Sequence, residues 1–186
     1  MQQHAFNLQE NSGVYFLCDG NKKVVTPNGS ELWTKSEKLA ELMLQRDDEG
    51  KPFTFYHYMI DLKGGPCIYK RISGCGSGTE YMAVTPWGDL YPCHQFVGDD
   101  KYLLGNVWDG VSNTAIQEEF ASCNVYARSE CKDCWAKLYC SGGCAANAYH
   151  STGSVKGVYK NGCELFRKRM ECAIMVAIAR IIKGNN

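Results

Sequence analysis

The residues of this sequence with the greatest capacity for chemistry are its cysteines. Four of them follow the spacing Cys-x2-Cys-x5-Cys-x3-Cys between Cys131 and Cys144, and Cys163 comes after eighteen further residues. A Cys-x2-Cys turn brings two thiolates to one metal, and the wider spacings let the same segment supply a second, neighbouring site. The run therefore predicts thiolate ligands for a metal ion or an iron–sulfur cluster.

A second group of residues lies upstream of this run. Cys75 and Cys93 are separated by a segment that places Gly88 five positions before Cys93. A zinc ion held by the later cysteines alone is an alternative, since four thiolates also make a structural zinc site. That alternative leaves the upstream cysteines and the glycine unexplained, so two sites are favoured.

The composition agrees with ligands rather than disulfides. The chain has 186 residues and eleven cysteines, an odd number that cannot pair completely within one chain. The first thirteen residues lack the basic start and apolar run of a signal peptide, and the longest apolar stretch, Ala173 to Ile178, is too short to span a bilayer. We therefore expect a soluble cytoplasmic protein, in a compartment that keeps thiols reduced.

The charged residues give no sign of a polyanionic partner. Twenty basic and twenty acidic side chains balance, and the basic ones are scattered without a block of like charge. We expect no binding to nucleic acid or to a membrane.

Taken together, the spacings resemble the seven-cysteine pattern of the SPASM domain from Cys75 to Cys163. The pattern is Cys, a dozen residues, Gly, four residues, Cys, then the Cys-x2-Cys run and a final Cys. SPASM domains are C-terminal extensions of radical S-adenosylmethionine enzymes that mature peptides, and they carry two auxiliary [4Fe–4S] clusters. Four short segments around these cysteines resemble those of the subgroup that forms thioethers in six-cysteine, SCIFF-type precursor peptides. They are Gly65-Pro66-Cys67, Gly74-Cys75-Gly76, Tyr81 to Pro86 and Tyr91-Pro92-Cys93-His94-Gln95-Phe96.

The resemblance implies a ligand set for each cluster. The first auxiliary cluster would take Cys75, Cys93 and Cys144, and the second would take Cys131, Cys134, Cys140 and Cys163. Cys144 would thus leave its run to serve the other cluster. Some family members supply a fourth ligand to the first cluster from a cysteine shortly before the motif, and Cys67 is the candidate here. Otherwise one iron stays open and could bind a substrate thiolate.

The resemblance also implies a missing part. Radical S-adenosylmethionine enzymes hold their reactive cluster through a Cys-x3-Cys-x2-Cys loop in a partial (β/α) barrel, and this sequence has no such loop. We expect a fragment that is not catalytically complete alone. S-adenosylmethionine and a third [4Fe–4S] cluster would belong only to the full-length enzyme, and the expected partners are a Cys-rich ribosomal precursor peptide and the absent barrel half. The alternative is a non-catalytic binding module stabilised by metal, with zinc as one candidate.

The elements that must position these cysteines follow from local patterns. We expect an α+β fold in which residues 1–66 are the tail of a partial barrel and residues 67–186 form a SPASM domain. In the first part, the sequence predicts a strand near Val14 to Cys18 and a turn at Pro27-Asn28-Gly29. A helix capped by Ser30 or Ser36 follows, and then a buried aromatic strand from Phe53 to Ile60. The helix is expected to turn Leu39, Leu42 and Met43 inward.

The second part should contain a small sheet and two helices. Tyr81 to Thr85 and Asp89 to Tyr91 predict a hairpin whose far strand leads to Cys93, with another extended piece at Leu103 to Val107. Helices are expected over Ser112 to Ser122, capped by Ser112 or Asn113, and over Glu164 to Ile182, closed by Gly184.

Some residues are expected to serve structure alone. Cys18, Cys123 and Cys172 fall outside the pattern and are interpreted as core residues, because free cysteine is commonly buried. Trp87, Trp108 and Trp135 are interpreted as buried shielding of the clusters rather than a peptide surface. His94 follows a ligand and could tune a cluster, although a structural role is the default.

Overall fold

The computed structural model describes residues 17–18, 24–25, 29–61, 64 and 67–184. The helices are α1 (Gly29–Asp48), α2 (Ile68–Ser73), α3 (Thr114–Ala121), α4 (Lys137–Cys140), α5 (Ala145–Thr152) and α6 (Lys160–Ile182). The strands are β1 (Leu17–Cys18), β2 (Val24–Val25), β3 (Ala83–Val84), β4 (Asp89–Tyr91), β5 (Gly105–Asn106) and β6 (Gly110–Val111). Helices mixed with small antiparallel sheets confirm the expected α+β class.

The described residues divide into two compact units. The first unit contains β1, β2, α1, a short 3-10 turn at Tyr56–Tyr58, and α6. The second unit contains the described residues from Cys67 to Tyr159, with strands β3 to β6 and helices α2 to α5. Helix α6, assigned from the sequence to the downstream domain, packs instead with α1 in the first unit. The assignment of residues 1–66 and 67–186 as domains stays a prediction.

The core of the first unit is an apolar stripe on α1 packed against α6. The buried side chains come from α1, from α6 and, in the case of Tyr58, from the 3-10 turn. They are Ala40, Met43, Tyr58, Cys172, Ala173 and Val176. Cys172 is 4% exposed, which confirms its interpretation as a core residue. Leu39 and Met43 face the core as expected, but Leu42 is 46% exposed. At about 100° per residue, Leu42 falls outside the stripe centred between Met43 and Ala40.

The aromatic segment from Phe53 to Ile60 was predicted to be a buried strand, and this is wrong. It forms a single 3-10 turn at Tyr56–Tyr58, in which Tyr56 is 79% exposed. The turn is fixed by Tyr58, whose hydroxyl donates to the Ser36 carbonyl at 2.8 Å. The ring of Phe55 packs edge-on against Tyr58 with centroids 5.0 Å apart. Side-chain packing and one hydrogen bond thus replace strand pairing.

The N-terminal predictions are only partly covered. The strand expected near Val14 to Cys18 is described at Leu17–Cys18, which pairs antiparallel with Val24–Val25. Val14 to Phe16 and the expected turn residues Pro27 and Asn28 lie outside the described residues. The predicted helix after them is confirmed as α1, which begins at Gly29, before either expected cap.

The second unit is built around a four-stranded antiparallel sheet in the order β3-β4-β5-β6. The predicted hairpin is confirmed, with Ala83 opposite Tyr91 and Val84 opposite Leu90. The extended piece predicted at Leu103 to Val107 contains β5, which pairs with β4 and β6. Strand β4 therefore lies inside the sheet and ends two residues before Cys93.

Gly88 in the β3–β4 turn has a packing reason as well as a conformational one. Its φ is +86°, in the left-handed region that favours glycine. A Cβ atom at this position would lie 2.5 Å from the Trp108 ring. Trp108 therefore covers the turn, and only glycine leaves it room.

A cluster of aromatic and aliphatic side chains fastens the sheet to the helices of this unit. Its most buried large members are Phe96, Tyr102, Leu104, Phe120 and Val155. The predicted helix over 112–122 is confirmed as α3, although Asn113 at its start makes no side-chain cap. The predicted final helix is confirmed as α6, followed by Gly184 with φ of 70°. The shorter helices α2, α4 and α5 were not predicted.

In the part of the chain that the structure covers, none of the helices has the length and apolarity that crossing a bilayer requires.

One buried ion pair joins the two helices of the first unit. Arg180 donates to the Asp47 carboxylate at 2.7 and 2.9 Å, and the Asp47 side chain is 4% exposed. The hydrogen bonds from Arg180 hold the pKa of Asp47 below its ordinary value, against the opposing effect of burial. The ionised carboxylate is therefore part of the folded state.

We predict that Asp47→Asn lowers the free energy of unfolding by about 3 kcal/mol, because Arg180 loses its buried partner. Since the pKa of Asp47 is lowered by folding, this stabilisation is present above its unfolded pKa of about 3.9 and is lost as the pH falls below that value. Urea unfolding from pH 7 to pH 3 measures both effects. Asp48→Asn is the matched control, because Asp48 is 58% exposed and pairs with Lys183 at the surface; we expect a loss below about 1 kcal/mol. Equal losses for the two variants would contradict the prediction.

Candidate metal centre

Cys75, Cys93 and Cys144 come from three segments of the second unit, and Cys75 and Cys144 are both neighbours of Cys93. Burial raises the pKa of the Cys93 thiol, and the neighbouring thiols of Cys144 and Cys75 raise it further. The backbone N–H groups of Gln95 and Phe96 donate to the Cys93 sulfur and oppose this rise. Thiolates that repel one another in this way are stabilised when they share a cationic metal core. The donor set therefore fits a thiolate-ligated group.

The loop that carries Cys75 is tied directly to the residue before Cys93. The N–H of Gly78 donates to the Pro92 carbonyl at 2.9 Å and to the Tyr81 carbonyl at 2.8 Å. The loop also closes on itself, because Glu80 and Tyr81 both donate to the Gly76 carbonyl. Backbone hydrogen bonds thus place Cys75 relative to Cys93.

Cys144 reaches the same place from the start of α5. It occupies the N-cap position of that helix, and its carbonyl accepts from the Ala148 N–H at 3.0 Å. Its sulfur accepts from the Gln95 side-chain amide at 3.5 Å. Gln95 therefore contacts both Cys93, through its backbone, and Cys144, through its side chain.

The turn between Cys140 and Cys144 is built from left-handed residues. Ser141, Gly142 and Gly143 have φ angles of 56°, 81° and 76°, and a Cβ atom on Gly143 would lie 4.0 Å from the Cys140 sulfur. This conformation reverses the chain within three residues.

The remaining predicted ligands of the second cluster occupy different elements. Cys131 is buried at the end of a 3-10 turn, and the Cys134 N–H donates to its carbonyl at 3.2 Å, which closes the Cys-x2-Cys turn. Cys140 ends α4. These three lie in the second unit, whereas Cys163 lies on the first turn of α6, in the first unit.

Cys67 is exposed at the N-cap position of α2, and Cys75 follows the other end of the same helix. Six helical residues correspond to about 9 Å along the axis. Helix α2 ends at Gly74, where φ is 76° and a Cβ atom would lie 3.1 Å from the Ser141 carbonyl oxygen. Cys75 is thus held against the 141–143 turn, and Cys67 would have to approach along the length of α2.

Among the described residues, no three His, Cys, Asp or Glu side chains converge closely enough to hold a single metal ion. None of the ten cysteines from Cys67 to Cys172 forms a disulfide. The ligand roles of the seven cysteines in the two sets, and of Cys67, stay predictions.

Two interpretations of nearby residues change with the structure. Burial of the three tryptophans was expected and is wrong, because Trp87 and Trp108 are each 76% exposed and Trp135 is 50% exposed. The first two occupy tight turns at one end of the sheet, where a side chain has few neighbours. His94 is exposed, with its Nδ1 3.4 Å from the Tyr81 hydroxyl.

Sequence reasoning missed Arg128. This side chain is 3% exposed and donates to the Cys123 sulfur at 3.0 Å. Cys123 was interpreted as a core residue; it is half-buried, and burial raises the pKa of its thiol while Arg128 opposes the rise. A single arginine three positions before Cys131 gave no signal, because it is indistinguishable by type from the other scattered basic residues.

Comparison with known proteins gives a fold similarity and one related sequence. The structure is similar to that of anSMEcpe with bound AdoMet, with a TM-score of 0.57 and 20% identity over 89% of this chain and 45% of that chain. It is also similar to anSMEcpe with bound AdoMet and a Cp18Cys peptide, with a TM-score of 0.50 and 19% identity over 87% of this chain and 46% of the other. An uncharacterised protein of Archaeoglobus fulgidus is 32% identical over 113 residues, which are 59% of this chain and 26% of the relative. No protein-family model matches. The chain thus spans about a quarter of the curated relative and less than half of the solved structures.

The close approach of Gly78 to Phe120 allows a test of how the loop that carries Cys75 is packed. We predict that Gly78→Ala lowers the free energy of unfolding by about 3 kcal/mol. The φ of 76° costs an alanine about 1–2 kcal/mol, and its Cβ would lie 2.9 Å from Phe120, which adds an overpacking cost of similar size. Denaturant unfolding of the whole chain measures the change.

Gly98→Ala is the matched control for this variant. Gly98 has a φ of 86°, but a Cβ atom there would meet nothing within 4 Å. Only the conformational cost of about 1–2 kcal/mol should remain. If Gly98→Ala is as destabilising as Gly78→Ala, the close approach of the Cys75 loop to α3 is not the cause.

Proposed function

We propose that this chain binds two [4Fe–4S] clusters and forms the auxiliary-cluster part of a radical S-adenosylmethionine enzyme that modifies peptides. The observation that carries the proposal is the spacing of the seven cysteines from Cys75 to Cys163, and the proximity of Cys75 and Cys144 to Cys93 is consistent with it. The fold similarity to anSMEcpe with bound AdoMet supports the proposal.

In this proposal Cys75, Cys93 and Cys144 hold the first cluster, and Cys131, Cys134, Cys140 and Cys163 hold the second. When bound, such clusters supply electron transfer, at potentials set by charge, hydrogen bonds to sulfur and exposure. The residues of this chain hold and tune them. The N–H groups of Gln95 and Phe96 donate to the Cys93 sulfur, and the Gln95 amide donates to the Cys144 sulfur.

The two sites share one stretch of backbone. Only the left-handed turn from Ser141 to Gly143 separates Cys140, in the second set, from Cys144, in the first. Because ligation and folding are coupled in small thiolate-ligated sites, loss of either cluster should loosen both.

The substrate is proposed to be a Cys-rich ribosomal precursor peptide in which the full-length enzyme forms a thioether. One solved structure similar to this chain contains a Cp18Cys peptide. In this chain the sulfurs of Cys75 and Cys144 belong to exposed residues, so one side of the first site is accessible to a ligand. The barrel half, S-adenosylmethionine and a third [4Fe–4S] cluster would complete the enzyme, since the chain covers 45% of the anSMEcpe chain.

We predict about eight iron and eight sulfide per chain after anaerobic reconstitution, the stoichiometry of two four-iron clusters. Cys93→Ala should lose about half of both, because it removes a buried ligand of the first site. Cys172→Ala is the matched control: Cys172 is equally buried but packs in the core of the first unit, so its iron and sulfide content should equal that of the wild type.

Stoichiometric zinc without sulfide would contradict the proposal and favour a metal-stabilised binding module. Equal loss of iron from Cys93→Ala and Cys172→Ala would show that general destabilisation, not ligation, explains the result.

The identity of the fourth ligand of the first cluster can be tested separately. If an iron is open there, adding a Cys-containing peptide should change the EPR spectrum of the reduced first cluster, and Cys67→Ala should keep its full iron content. A peptide with serine in place of cysteine is the control. Loss of iron in Cys67→Ala, together with a wild-type spectrum that peptide leaves unchanged, would assign the fourth ligand to Cys67.

A further inference from the structure

Arg128 is a buried cation in the second unit whose hydrogen bonding is incomplete. One terminal nitrogen donates to the Cys123 sulfur at 3.0 Å, and the other donates to the Gly157 carbonyl. Its Nε–H finds no acceptor among the described residues, although the side chain is 3% exposed. A buried guanidinium with an unused donor is costly unless a negative group offsets it. The two acceptors in use are a thiol and a carbonyl rather than carboxylates.

The backbone and the side chain of Arg128 both adjoin the cysteine run. Its carbonyl accepts from the Cys131 N–H at 3.0 Å, at the turn that leads into the Cys-x2-Cys segment. Its Nε lies 3.3 Å from the position that a Cβ atom on Gly142 would occupy. Arg128 therefore packs directly beneath the turn that joins Cys140 to Cys144.

The same side chain lines a cavity of about 190 Å³ whose wall includes one cysteine of the first set. Cys75, Gly76, Cys123 and Gly143 also line it, so the cavity adjoins one predicted ligand and the residue before another. The acidic residue on its wall, Glu80, is paired with Lys70. A negative group that enters this cavity would find Arg128 as an unneutralised cation.

We propose that Arg128 is a positioning residue for the first cluster, whose negative charge it offsets and whose reduction potential it thereby raises. This inference rests on the proposed function. An iron–sulfur core ligated by thiolates is anionic overall, and its potential depends on net charge and on hydrogen bonds to the sulfurs. Reduction adds a further negative charge, which a buried guanidinium favours because little solvent screens the interaction.

A purely structural role makes a different prediction. In that case Arg128 only ties Cys123 and Gly157 to the cysteine run, and its replacement would change stability without changing the potential of clusters that still form. Reduction potential is therefore the readout that separates the two roles.

The test compares reconstituted wild type with Arg128→Met, which removes the charge, and with Arg128→Lys, which keeps the charge but lacks the Nε–H. Lys132→Met is the matched control, because Lys132 is an exposed cation between Cys131 and Cys134. Iron and sulfide content is counted first, and the midpoint potential of the first cluster is then measured by EPR-monitored titration. We expect a more negative potential in Arg128→Met, a smaller shift in Arg128→Lys, and none in Lys132→Met.

A second measurement uses the wild-type chain, so that it does not depend on a variant that folds. With arginine labelled by nitrogen-15 in the guanidinium, pulsed EPR of the reduced first cluster should show a nitrogen-15 coupling. The coupling should vanish in Arg128→Lys, which excludes the other arginines as its source.

Each outcome decides the inference. Wild-type clusters without a nitrogen-15 coupling, or an Arg128→Met variant with wild-type iron and wild-type potential, would overturn the role of Arg128 alone. A wild type that binds no iron and sulfide would overturn the proposed function and this inference together.

Discussion

The hydrogen bond from the Gly78 N–H to the Pro92 carbonyl is the constraint on which the candidate site depends. It joins the loop after Cys75 to the end of β4, and so restricts the distance between Cys75 and Cys93. Cys144 lies at the start of α5, near Cys93, and Gln95 contacts both of these cysteines. Because the bond from Gly78 to Pro92 is made by backbone groups, the arrangement depends on the backbone conformation. Glycine is favoured where a side chain would block the close approach of two segments.

The charge of the first set of cysteines depends on how closely its thiols are packed. Three thiols are brought together in a partly buried place where their anionic forms repel one another. Such a set is unfavourable as bare thiolates and favourable around a cationic core. Arg128 is a buried cation that packs against the cysteine run, and its unused Nε–H lies beside Gly142. The protein thus provides both the ligands and a positive group near them.

Sequence reasoning reached the elements that repeat a simple pattern. The β3–β4 hairpin, α1, α3 and α6 follow from periodicity and turn residues. The two cysteine sets, which the resemblance implies, stay predictions. Sequence reasoning failed where tertiary contacts decide. The Phe53 to Ile60 segment became a turn because Tyr58 finds Ser36, and Leu42 points outward because α1 buries a different stripe. Arg128 was missed because its importance lies in burial beside Cys123, which no local pattern encodes.

Mössbauer spectroscopy of the chain reconstituted with iron-57 would measure cluster binding at both sites, because it distinguishes the kinds of iron present in one sample. We expect nearly all of the iron to give the signal of [4Fe–4S] clusters, in an amount that corresponds to two clusters per chain. Iron found only as isolated tetrathiolate ions, or one cluster per wild-type chain with no loss of iron in Cys93→Ala, would contradict cluster binding at both sites.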